Sequence, residues 1–123
     1  MSDSTIIDSL KRTFVTTATL SGYELVALQT DGTVAVATAS SSQVEVGFVD
    51  GERSINAGDV APIRLLNGGG SAYGECAATV TAGDALYGQS GGEVGSAVVT
   101  DASVVGYALE AGVDGDVIEI LLA

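Results

Sequence analysis

Ala82-Gly83-Asp84-Ala85-Leu86, Gly91-Gly92-Glu93-Val94, Val105-Gly106-Tyr107-Ala108 and Gly115-Asp116-Val117-Ile118-Glu119-Ile120 follow one another in the stretch Thr79–Ala123. An earlier stretch repeats them in the same order. It reads Ser21-Gly22-Tyr23-Glu24-Leu25, Asp31-Gly32-Thr33-Val34, Val46-Gly47-Phe48-Val49 and Gly58-Asp59-Val60, ending in Ile63-Arg64-Leu65-Leu66. Aligning Gly22 with Gly83 and Gly58 with Gly115 moves the offset from 61 to 57 residues, a drift that loop deletions explain. Two copies are too few for a solenoid, so the doubling implies one domain with internal pseudo-symmetry.

Short runs between Gly, Asp and Ser clusters give the strand candidates. In the first copy they are 24–29, 33–38, 44–49 and 61–66; in the second, 85–87, 93–99, 104–109 and 117–122. Asp31-Gly32 between apolar runs is a strong hairpin signal, and Gly91-Gly92 a weaker one. The expected fold is all-β: a compact single-domain β-barrel or sandwich with an internal pseudo-repeat, about 18–66 and 78–123. Residues 67–75, with three consecutive glycines, read as a linker or loop. They lack the Gly-Lys-Ser/Thr of a phosphate-binding loop.

Residues 1–17 precede the repeat as an N-terminal arm, leaving 18–123 as the β domain. Ile6, Ile7, Leu10 and Phe14 have the spacing of a short helical face, whereas the β-branched, hydroxyl-rich run 13–19 suits a strand equally well. Lys11 and Arg12 supply half of the protein's cations.

Composition narrows the function. Sixteen carboxylates against four cations give a net charge of −12 in 123 residues, and Lys11, Arg12, Arg53 and Arg64 all precede residue 65. Nucleic acid and anionic membrane surfaces are poor partners for such a chain, because both require neutralising cations. No window is long and apolar enough for a membrane span. There is no His, and the single Cys76 allows no internal disulfide. Cys76 reads as a buried small residue beside Ala77 and Ala78. Asp114-Gly115-Asp116 reads as an acidic turn, since it lacks the ligand ladder of a calcium loop. No catalytic, metal or cofactor residues are expected, and Tyr23, Tyr73, Tyr87 and Tyr107 read as core or contact aromatics.

The ordered doubling of Ala-Gly-Asp turns, Asp-Gly-Thr-Val and Gly-Gly-Glu-Val hairpins and Val-Gly-aromatic steps, preceded by Lys11-Arg12-Thr13-Phe14, resembles the capsid decoration (cement) proteins of tailed bacteriophages. The resemblance implies a β-tulip-like barrel or sandwich with an extended N-terminal arm. It also implies a non-enzymatic virion protein, made in the host cytoplasm and placed on the outer capsid surface. It would act as a homotrimer at three-fold and quasi-three-fold positions, clamping major capsid protein subunits. On this sequence the capsid contacts would fall on Ile6, Ile7, Leu10, Lys11, Arg12 and Phe14. The other class open to the sequence is a β-rich binding module: a fibre, adhesin or carbohydrate-binding domain.

Overall fold

A computed structural model describes residues 11–123. Its first half holds β1 (Lys11–Val15), β2 (Leu25–Leu28), β3 (Val34–Val36), β4 (Val44–Val49) and β5 (Val60–Leu65). The second holds β6 (Ser71–Glu75), β7 (Ala85–Gly88), β8 (Val94–Gly95), β9 (Gly106–Ala108) and β10 (Val117–Leu122). Each half makes its own five-stranded antiparallel sheet, with order β1-β5-β4-β2-β3 in one and β6-β10-β9-β7-β8 in the other. The connectivity is the same in both, so the doubling seen in the sequence is a doubling of architecture.

The equivalence extends to single hydrogen bonds. Thr16 N donates to Asp59 O and Thr17 N to Val34 O, while Cys76 N donates to Asp116 O and Ala77 N to Val94 O. Parallel bridges Thr16–Val34 and Cys76–Val94 bring the two edges of each sheet together at one point. In the first half that bridge curls the sheet around Phe14, Leu20, Val26, Val34, Val49, Ala61 and Ile63, a core of its own. Among the described residues the edges pair nowhere else, so the expected barrel is a half-barrel rather than a closed one.

One strand lies where a linker was expected, and a second resolves a segment left open between helix and strand. Residues 71–75, expected as part of a linker, form β6, which pairs with β10 along its whole length. Only five residues remain between the halves, the 3-10 turn Leu66–Gly68 followed by Gly69 and Gly70. Lys11–Val15, from the segment expected as an arm, forms β1 on β5 and is the counterpart of β6. Phe14 is therefore buried by strand alternation, not by a helical face.

The register also corrects the alignment of the copies. Ser21 N donates to the Glu24 carboxylate at 2.9 Å, and Thr81 N to the Asp84 carboxylate at 2.9 Å, which matches Tyr23, not Gly22, with Gly83. Both matched residues have positive φ, 61° at Tyr23 and 92° at Gly83. Glycine adopts that conformation freely, whereas a tyrosine does so under strain.

The halves meet through a substitution between equivalent positions. Phe14 fills the interior of the first half, and its counterpart in the second is Gly74. Phe48, from the outward face of β4, takes the vacant space. A Cβ on Gly74 would stand 2.8 Å from the Phe48 ring. Phe48, Leu25, Ala27 and Ala37 thus join Ile118, Ile120, Leu86 and Val94 in the second core. Full burial of an aromatic ring contributes about 2–3 kcal/mol, which makes Phe48 the main anchor of the seam.

Candidate functional site: a polarised surface

Because each sheet is built from one half of the chain, the segregation of charge along the sequence becomes segregation in space. All four cations lie on the first half. Lys11 stands opposite Arg64 across the β1–β5 pairing, and its ammonium lies 3.0 Å from the Asp50 carboxylate. That pair is well exposed, so its contribution to stability is small. The Arg12 guanidinium sits 4.7 Å from the centroid of the Phe14 ring and covers the buried aromatic from outside. Arg53 lies on a solvent-open depression with Asp50, Ile55, Val60 and Pro62. The Arg64 guanidinium donates to the Leu65 carbonyl at 3.3 Å and to the Gly69 carbonyl, tying β5 to the connection between halves.

Of the residues expected at a capsid contact, Lys11, Arg12 and Phe14 therefore come together on the edge strand of the first sheet. Lys11 and Arg12 are exposed, while Phe14 is a core residue that supports Arg12. Ile6, Ile7 and Leu10 lie outside the described residues.

The second half carries eight carboxylates and no Lys or Arg. Glu93 and Glu75 flank the bridge that joins β6 to β8. Desolvation, the Glu75 hydrogen bond and the charges of Glu75, Asp114 and Glu24 push the Glu93 carboxyl up to about 7. Burial raises Glu24 against the lowering effect of its bond from Ser21, and burial raises Glu45 despite Gln43. Asp31 goes the other way, because the Thr33 hydroxyl and amide both donate to it across the Asp31-Gly32 hairpin turn.

The arrangement does not activate Cys76 as a nucleophile. Cys76 is fully buried, and desolvation followed by Asp116, Glu110, Glu75 and Asp114 raises its thiol, which disfavours the thiolate. It occupies the place of buried Thr16, whose hydroxyl instead donates to the Ala18 carbonyl at 2.6 Å. Among the described residues, no group of three or more Cys, Asp or Glu is placed to hold a metal ion. None of their helices is long and apolar enough to cross a membrane.

The sequence reading missed the outward face of the second sheet. Tyr73, Tyr107, Leu109, Val117 and Leu121 are all exposed there. The missing signal was β6 itself, since Tyr73 gains an orientation only once residues 71–75 are a strand. Tyr73 also meets Tyr23 across the seam, with ring centroids 5.9 Å apart. Tyr107 lies opposite Ala85 on β7, away from that pair.

No family model matches the chain, and no curated protein matches it. Among solved structures, the chain is similar to the crystal structure of the head fiber gp8.5 N base in bacteriophage phi29. The TM-score is 0.63 at 19% identity, and the match covers 92% of each chain. At that identity the likeness shows a shared fold over nearly the whole of both chains.

Proposed function

We propose that this protein is a non-enzymatic structural component of a tailed-phage particle, a β-rich module seated on the head in the manner of a fibre base. The observation that carries this reading is the fold likeness to a head-fibre base over 92% of each chain. The charge distribution supports it: one half has cations for a partner, and the other has an unrelieved acidic surface that keeps the molecule soluble.

Seating falls to the exposed edge of β1, where Arg12 presents charge above Phe14 and Lys11 projects from the other side of the strand, with Ile6, Ile7 and Leu10 immediately before it in sequence. Its partner is the major capsid protein, and neither nucleic acid nor membrane is engaged. The narrower form of the reading is a decoration protein, trimeric at three-fold positions on the outer capsid surface and clamping neighbouring shell subunits. Modules repeated on one shell bind with avidity, so each seat can be individually weak.

Co-sedimentation with undecorated heads tests the proposal. The full chain is expected to pellet with heads, and Lys11→Glu/Arg12→Glu to remain in the supernatant while keeping its circular dichroism. Failure of the full chain to bind heads, with strong retention on a glycan array instead, would overturn it in favour of a carbohydrate-binding module.

A further inference from the structure

The two sheets carry equivalent grids on their outward sides, that of the second exposed and that of the first covered at Phe48 by the second half but open along β1 and β5. On the second sheet, one row runs Tyr107–Leu121–Ser71 and the next Leu109–Glu119–Tyr73, with Val117 opposite Glu75 beyond them. On the first, the rows are Phe48–Arg64–Lys11 and Asp50–Pro62–Thr13, with Val60 opposite Val15. Equivalent positions have opposite chemistry. Leu121 replaces Arg64, Glu119 replaces Pro62, and Glu75 replaces Val15.

Tyr107, Leu109, Val117 and Leu121 are each 42–46% exposed, and the register makes them neighbours. Adjacent apolar side chains of this size mark an interaction surface more than scattered ones do. The charges around them are all negative. Glu75 and Glu119 lie within the grid, and the Glu110 carboxylate accepts a hydrogen bond from Glu119 N at 2.8 Å. The first sheet offers an apolar counterpart in Val15, Val60 and Pro62, beside Ile55 on the depression that Arg53 borders. Its carboxylates Asp50, Glu52 and Asp59 are accompanied by Lys11, Arg53 and Arg64.

We infer that the outward face of the second sheet is a self-association surface, which receives the open β1–β5 part of the first sheet's outward face, around Val15, Val60 and Pro62, from another copy of this chain. The contact is head-to-tail. Pairing the acidic face with itself would set Glu75, Glu110 and Glu119 against their own copies, and like charges across an interface are strongly unfavourable. The first half holds every cation of the protein, so within this chain only that half relieves the acidic face. A heterologous contact repeated between copies closes into a ring when its rotation permits and otherwise extends as a filament. The ring is the form that suits a module seated around a symmetry axis, and in this respect the inference rests on the proposed function.

Sedimentation velocity over a concentration series tests it, with the full chain, Leu121→Asp, Val60→Asp and an equimolar mixture of the two variants. The full chain is expected to form a closed species of several chain masses. Each variant should be monomeric, with association weakened about tenfold or more, and the mixture should give a two-chain species, because each variant supplies one intact face. Glu110→Lys and Arg53→Glu, exposed on opposite faces, repeat the experiment without placing a charge in an apolar patch. A full chain that stays monomeric overturns the inference, as do variants that keep the parental mass or a mixture that stays monomeric. A monomer that still binds heads would discard this interface alone; a ring that ignores heads would discard the virion reading alone.

Discussion

The two halves share strand order, bridges and turn hydrogen bonds, yet they complete their cores differently. The first half fills its interior with its own Phe14, whereas the second leaves Gly74 at that place and receives Phe48 from its neighbour. One half is therefore self-contained and the other is completed by it. Duplication supplies two equal modules, and a single exchange of large for small fixes which one serves as the base. The outward faces follow the same asymmetry: Phe48 is buried in the seam, and its equivalent Tyr107 is exposed.

Truncating that equivalent pair should break the comparison most visibly. Phe48→Ala is expected to cost about 3–5 kcal/mol in urea unfolding, because it empties a buried aromatic site. Tyr107→Ala should cost under about 0.5 kcal/mol, as an exposed position does. Similar losses at both sites would mean that the seam does not depend on Phe48.

The turn before β2 and its counterpart before β7 give a second contrast. Gly22→Ala should cost more than about 2 kcal/mol, since its Cβ would stand 2.3 Å from the Glu52 backbone. Gly83→Ala, with open space around it but φ of 92°, should cost about 1 kcal/mol. Equal costs would mean that the Glu52 backbone does not crowd Gly22. Thr16→Val should likewise cost about 1 kcal/mol through the lost bond to Ala18. Its counterpart Cys76 should stay unreactive to thiol reagents until the chain unfolds.

The smallest effect is on pH. The Glu93 carboxyl, raised to about 7 from an ordinary 4.5, keeps its proton in the folded chain where the unfolded chain has released it. The unfolded state binds fewer protons between those values, so stability falls as pH rises through that window. The change should be under about 1 kcal/mol for this partly exposed group. Thermal unfolding at pH 5 and pH 8 should show a lower midpoint at pH 8, and Glu93→Gln should flatten the difference.

What could be read from the chain beforehand follows from the physics of each element. Val44–Val49, Val60–Leu65 and Val117–Leu122 announce themselves because β-branched and apolar residues run between turn residues. Ser71–Glu75 does not. Its small residues and Gly74 look like linker, and the reason for that glycine, a ring arriving from residue 48, is a tertiary fact. Lys11–Val15 stayed ambiguous because Phe14 fits a helical spacing with residues 6, 7 and 10 as well as a strand alternation. The doubling itself held the answer, since a strand before one copy implies a strand before the other. Charge polarity was visible as sequence order, and it acquired spatial meaning because neither sheet mixes the halves. The outward apolar face of the second sheet could not be seen until β6 set its register.

Electron cryomicroscopy of heads carrying the protein tests the account most directly, because it shows which half faces the shell. The predicted map has the β1 edge of each copy, at Lys11 and Arg12, against the major capsid protein, and the second sheet off the shell with its outward face against a neighbouring copy. A map with the second sheet against the shell, and Lys11 and Arg12 facing outward, would contradict it.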